Sequence, residues 1–208
     1  MMHDMNEALQ VGVSWMRVSR EQMAANHASI LDEASRLFRE RGFDAVTVAD
    51  VMKAAGLTHG GFYGHFRSKN DLIAEVLGHV LSNGNVETDD LAGWKRAYLS
   101  PVHRDSPAQG CPVAGLAGLM RLQTDDARTV MAKGVEAQIN RLAELMPGDS
   151  VEARRRAAIG LWSAMVGALV LSRAVGETAL AEDLLSETRQ WLDAQDNASE
   201  SAESLVEN

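Results

Sequence analysis

Cysteine is nearly missing from this chain: Cys111 is the only one in 208 residues. A lone thiol excludes an intramolecular disulfide and a zinc site built on several thiolates. It also fits a reducing compartment. Proline is scarce too, with four in the whole chain, so little stands in the way of helices. The sequence shows no apolar run that approaches a membrane-spanning length. The opening MMHDMNEALQVGVSWM has neither a basic n-region nor a continuous apolar h-region. No signal peptide is expected, Met16 is an alternative translation start, and the expected location is the cytoplasm without a membrane partner. Catalytic signatures are missing as well. The chain has no GxSxG elbow, no HExxH, no phosphate-binding glycine loop and no dinucleotide motif. Cys111 and His103 share one loop, but they have no orienting third group and no oxyanion site. An enzyme is not expected, and neither is a cofactor or a metal.

Basic excess is also lacking, since the net charge is −9. Its distribution is uneven. Residues 17–81 balance eight basic against eight acidic residues, so the remainder carries the whole negative charge. A neutral segment on an acidic body is compatible with nucleic-acid binding, with modest non-specific affinity and marked salt sensitivity.

The hydrophobic content of 46% is enough for a core. The recurrence of alanine, leucine, methionine, glutamate and arginine predicts an all-α protein. Residues 1–18 read as a flexible arm, and Arg17 and Arg20 around its end could reach a minor groove. From Ser19 to Arg41 the apolar positions keep helical spacing, and Gly42 closes that helix. Thr47 and Asp50 form a capping-box-like pair opening a second helix. Gly56 breaks it, and Thr58 opens a third helix carrying Phe62 and Phe66. Ser68 and Asp71 open a fourth, ending near residue 82. Further helices are expected over 86–99, from Cys111-Pro112 onward, over 125–146, over 150–175 and over 178–195. Residues 83–195 thus form a helical second domain, and the acidic tail 196–208 reads as disordered.

The stretch TVADVMKAAGLTHGGFYGHF (residues 47–66) is the most informative. Three glycines, Gly60, Gly61 and Gly64, crowd one short helix, and each costs about 1 kcal/mol of helix stability relative to alanine. A segment so poor in bulk lets its backbone approach something large, such as the major groove of duplex DNA. Helix, turn and helix braced by a longer helix make a helix-turn-helix. Thr58, His59, Gly60 and Gly61 lie at the reading end, where hydroxyl, imidazole and free amides can meet base edges. Tyr63 and His65 can donate to phosphates, Lys69 can add a charge, and Thr47 puts a hydroxyl and amides where a phosphate can sit.

The string AAGLTHGGFYGHFRSKNDLIAEVL resembles the signature of the TetR family of DNA-binding repressors. The resemblance is close over residues 19–80 and architectural beyond them. It implies an N-terminal helix-turn-helix domain (19–82) and a C-terminal helical domain (83–195) that binds a ligand and dimerises. It implies base-facing positions at Thr58 to Gly61 and backbone contacts from Tyr63, His65 and Lys69. The paired glycines depart from the bulkier residues of many members, which shifts recognition toward DNA shape.

One reading head covers too few base pairs to find a site in a genome, so a homodimer on a pseudo-palindromic operator is expected. Gly160, Ala164, Gly167, Ala168 and Leu171 recur at helical spacing and would allow close helix approach. Leu184, Thr188 and Trp191 would complete a four-helix interface with the partner copy. Trp94, Tyr98, Cys111, Met120, Met131, Trp162 and Met165 are the residues expected to line a pocket for an unidentified small-molecule effector. That effector would release the DNA by favouring the non-binding state. Two alternatives remain at this point. Cys111, with His103 and Arg104 nearby, could sense electrophiles or oxidants, or the chain could be a helical protein-interaction module.

Overall fold

The computed structural model describes residues 19–83 and 90–206. The expected arm at 1–18 and the chain stop at residues 84 and 85 lie outside the described residues. Among those described there are helices and no strand.

α1 (Arg20–Ala45) is capped by the Ser19 hydroxyl, which accepts the Gln22 amide. Gly42, at φ 78°, interrupts it where the sequence predicts its end, because the left-handed region suits glycine alone. Phe43 folds back onto Phe38, edge to face at 5.2 Å. α2 (Val48–Ala54) opens on the expected capping box: Asp50 N–H donates to the Thr47 hydroxyl, and the Asp50 carboxylate accepts from Thr47 N–H. The third element is not an α-helix. His59–Gly64 is a 3₁₀ turn. Three glycines in six positions remove the side chains that favour α-helix, and a short 3₁₀ segment needs fewer hydrogen bonds in register. α3 (Lys69–Asn83) follows. Ile30, Ala34, Leu37, Phe38, Val51, Met52, Phe62, Phe66, Leu72 and Val76 from these elements share one core. Each fully buried aliphatic or aromatic side chain there contributes about 1.5–3 kcal/mol.

The body contains α4 (Leu91–Tyr98), the short α5 (Pro101–Asp105) and α6 (Pro112–Leu116), and a second 3₁₀ turn over Ala117–Leu122. Three long helices follow: α7 (Asp125–Glu144), α8 (Val151–Ala174) and α9 (Ala179–Val206). The tail expected to be disordered from Asp196 is helical to Val206. Its alanines and glutamates are good helix formers, and α9 extends without a breaking residue. Contrary to the expectation that no run approaches that length, α8 is long and apolar enough to cross a membrane, with a mean hydropathy of 1.5 in its apolar window. It is instead the packed centre of the body, where it buries Leu161, Trp162, Met165, Ala168 and Leu169 between α7 and α9.

Two contacts set how the head sits on the body. Gly134 in α7 faces Leu81 of α3, and a Cβ there would lie 2.6–2.9 Å from the Leu81 side chain, so glycine permits the helices to touch. Arg39 in α1 donates to the Gly110 carbonyl at 2.8 Å. A third contact ties α4 to α9. Lys95, with a side chain only 1% exposed, pairs with Asp193 and Asp196 at 2.6 Å each. Burial pulls its pKa down, but hydrogen bonds to the two half-exposed carboxylates outweigh this and leave it raised.

Candidate nucleic-acid interface and effector cavity

The surface of the His59–Gly64 turn is open. A Cβ added at Gly60 or Gly64 would meet nothing within 4 Å, and one at Gly61 would make only ordinary contacts with Met52 and Thr58. These glycines are therefore not demanded by packing. Phe62 and Phe66 anchor the turn from below, stacked at 5.5 Å. Thr58 and His59 are exposed at its start, and the Thr58 hydroxyl makes no capping bond. Tyr63 points outward and is 71% exposed.

Three other expected contact residues are partly used by the fold. Lys69 donates its ammonium to the Phe43 carbonyl at 2.5 Å, clipping α3 to the end of α1. Thr47 spends its hydroxyl proton on Asp50 at 2.6 Å, and that bond holds the Asp50 carboxyl below its usual pKa. His65 is half-buried, 5.8 Å from His27 and 6.2 Å from Phe66. Burial first, then the neighbouring His27, lowers its pKa, so it is a neutral donor near pH 7. Lys53 is exposed on the adjacent α2, and Arg67 follows the turn with a guanidinium held by Asp71 at 2.8 Å. Neither was singled out by the sequence reading, because an exposed cation on a short element has no periodicity to mark it.

A cavity of about 640 Å³ lies where head and body meet. Trp94, Tyr98, Cys111 and Trp162 line it as expected. Met120, Met131 and Met165 do not; they are buried in the shared core instead, because flexible thioethers fill irregular gaps between packed helices. The unforeseen part of the wall is polar. Ser35 and Arg39 come from α1, His79 from α3, and Gln138 and Arg141 from α7. The sequence signal was a polar face on otherwise apolar helices: Asp32, Ser35 and Arg39 at i, i+3 and i+7, and Gln138 and Arg141 at i and i+3.

Around Cys111 the wall is specified by one imidazole. His103 Nδ1 faces the Tyr98 carbonyl at 2.8 Å, and Nε2 accepts the Cys111 backbone N–H at 2.9 Å. Only the neutral tautomer with its proton on Nδ1 satisfies both, and burial lowers the His103 pKa. His103 therefore bonds the backbone of Cys111, not its sulfur, and Arg104 pairs with Asp105. The two partners expected to activate the thiol are engaged elsewhere.

On the outer side of α8 and α9, Gly160, Leu171 and Trp191 are exposed, while Ala164, Gly167, Leu184 and Thr188 are half-exposed. Ala168 turns the other way, into the protomer's own core, because it falls on the Leu161–Trp162–Met165 face of the helix.

Residues 30–76 match the family model described as bacterial regulatory proteins, tetR family. The chain is 37% identical over 70 residues to the HTH-type transcriptional regulator AcrR of Shigella flexneri, covering 34% of this chain and 32% of that protein. It is 28% identical over 141 residues to the HTH-type transcriptional repressor KstR2 of Mycolicibacterium smegmatis, covering 68% and 63%. The matches thus span about a third to just under two thirds of these relatives. Among solved structures, the reduced form of Escherichia coli NemR aligns with a TM-score of 0.65 at 18% identity, over 80% of this chain and 96% of that one. A TetR transcriptional regulator from Legionella pneumophila aligns at 0.64 and 22%, over 81% and 95%. At such identities the structures show a common fold. Residues 30–76 thus match the tetR family of regulatory proteins in sequence, and about four fifths of the chain shares its fold with structures of that kind.

Proposed function

We propose that the protein is a DNA-binding transcriptional regulator, acting in the cytoplasm as a dimeric repressor that a small molecule releases from a pseudo-palindromic operator. The observation that carries this reading is the exposed, bulk-free turn with Thr58, His59 and Tyr63 on its surface and no packing reason for its glycines. A backbone left bare can come against a groove floor, while neighbouring hydroxyl and imidazole groups reach phosphates and base edges. The tetR-family match of the head supports it, and it disfavours the thiol-sensing and protein-interaction alternatives.

Dimerisation is supported by the apolar outer faces of α8 and α9, with Val170, Leu171, Leu180 and Trp191 exposed in the single chain. Two such faces meeting about a two-fold axis would bury them together. Effector control is supported by the cavity's position. Its wall includes Ser35 and Arg39 of α1 and His79 and Leu81 of α3, the helices that brace the reading turn. A ligand that prefers one arrangement of those helices over the other shifts the distance between two heads and so their fit to DNA.

The test is fluorescence-anisotropy titration of a fluorescein-labelled duplex with wild type and Tyr63→Ala. Loss of a phosphate contact from an exposed side chain weakens binding roughly fivefold to tenfold with the fold unchanged. Equal affinity of the two proteins would exclude Tyr63 from the interface, and no retention by wild type even in dilute salt would end the regulatory reading.

A further inference from the structure

The head–body cavity concentrates the unmet hydrogen-bonding capacity of the described residues. Three buried side-chain atoms lack any partner there: Ser35 Oγ, Tyr98 Oη and Arg141 Nε. All three residues line this one cavity. Ser35 and Tyr98 are themselves more than nine-tenths buried. A polar group in that condition costs about 1–3 kcal/mol unless something supplies the missing bond. The Tyr98 hydroxyl lies beside the Cys111 thiol, a weak hydrogen-bonding partner that leaves it without a strong one. Burial pushes its pKa up, which keeps it a protonated donor.

The charges of the wall give the sign of what is missing. Arg39 and Arg141 both line the cavity, and neither has an ion pair among the described residues. Arg39 spends two donors on the Ser35 and Gly110 carbonyls, and Arg141 spends one on the Gln138 amide oxygen at 2.7 Å. Neutral acceptors leave both cations uncompensated. The one carboxylate of the wall, Asp32, is largely exposed and bonds His79 at 2.7 Å, so it belongs to the rim. The interior is thus donor-rich and positive, and Trp94 and Trp162 supply flat apolar walls. A volume of about 640 Å³ is in the range of cavities that enclose small organic molecules.

We propose that this cavity takes a small aromatic carboxylic acid as effector, with its ring system against Trp94 and Trp162 and its anionic oxygens received by Arg141 and the hydroxyls of Ser35 and Tyr98. The inference rests on the effector-binding part of the proposed function and narrows it to a chemical class. A cationic or purely apolar ligand of equal size would leave the guanidinium groups and both hydroxyls unmet. An acid bound there joins α1, α4 and α7 through one molecule, which gives it the differential contact with the head that release of DNA requires.

Isothermal titration with purified full-length protein tests this. The probes are cinnamate and biphenyl-4-carboxylate, each beside its methyl ester and the primary amine of the same skeleton. The acid is expected to bind at least about tenfold more tightly than its ester, as charge-assisted hydrogen bonds to a part-buried guanidinium imply, and the amines are expected not to bind. Arg141→Gln should bring acid and ester to within about threefold of each other, because the ester never used the charge. Ser35→Ala and Tyr98→Phe guard against a variant that fails to fold. Each should raise the melting temperature of the free protein by removing an orphaned hydroxyl, and each should lower affinity for the acid. Equal binding of ester and acid, binding of the amines, an undiminished preference in Arg141→Gln, or no binding of either acid at 1 mM (on the order of the weakest useful affinity) would each overturn the proposal. Duplex titration of the same preparations separates the two readings. Retained DNA without acid binding removes only the ligand class, and acid binding without DNA retention removes the regulatory function while leaving this site standing.

Discussion

At the scale of single residues, the glycines of the His59–Gly64 turn set stability against binding. Gly64 has open space where a Cβ would stand and an ordinary backbone conformation. Gly64→Ala should therefore leave the fold intact or stabilise it by about 0.5–1 kcal/mol. The same methyl group stands on the surface proposed to meet DNA, so operator affinity should fall. Thermal melting and duplex titration on one preparation check both halves, and a variant that gains stability without losing affinity would remove the turn from the interface. This is where the sequence was most legible. Glycine spacing and the Tyr63–His65–Lys69 pattern located the head, and Phe62 and Phe66 were readable as core, with Leu57 packed only partly against it. The fold's own claims on Lys69 and Thr47 were not, because the Phe43 carbonyl that holds Lys69 lies 26 residues away and no local pattern records it.

Among the elements, the loop between α5 and α6 depends on one imidazole. His103 and His65 both have pKa values lowered below 6.5 by burial. In the unfolded chain they protonate near 6.5, so between that value and their folded pKa values the unfolded state binds more protons. Stability is then full above about pH 6.5, falls as pH drops through that window, and levels off below the folded values. Protonating His103 on Nε2 also breaks the bond from the Cys111 amide. His103→Asn should be less stable at pH 7.5 but show a shallower decline toward pH 5.5 in melting experiments; a parallel decline would mean that His103 is not the titrating group. The α4–α9 clamp gives a second expectation. Lys95→Met leaves Asp193 and Asp196 without their shared cation and should cost roughly 2 kcal/mol, read as a lower midpoint in urea; an unchanged midpoint would show that the half-exposed carboxylates need no partner. Helix boundaries from α1 to α9 were close to what spacing and caps indicated. The exceptions were physical: glycine content turned an α-helix into a 3₁₀ turn, a Ser100-capped α5 with proline at its first position formed in a stretch read as a loop, and helix-forming residues carried α9 past Asp196. The polar cavity wall was hidden for another reason, since Ser35, Arg39, Gln138 and Arg141 converge only when α1 and α7 pack.

For the whole molecule, the outer faces of α8 and α9 and the head–body seam carry the remaining expectations. Trp191, 56% exposed in the single chain, is proposed to enter the interface between copies. Trp191→Asp should shift sedimentation from dimer toward monomer and weaken operator binding without unfolding α9; a variant still fully dimeric would move the interface elsewhere. The charge imbalance between head and body is consistent with this arrangement, because only the neutral head has to approach a polyanion. All of this rests on two identical heads reading one duplex through their bare turns. Selection of binding sequences from random double-stranded DNA by the purified protein tests that most directly. The account predicts enrichment of two inverted half-sites at a fixed spacing, bound by one dimer and weakened by Tyr63→Ala. Enrichment of a single unpaired motif, or of none at all in dilute salt, would contradict it.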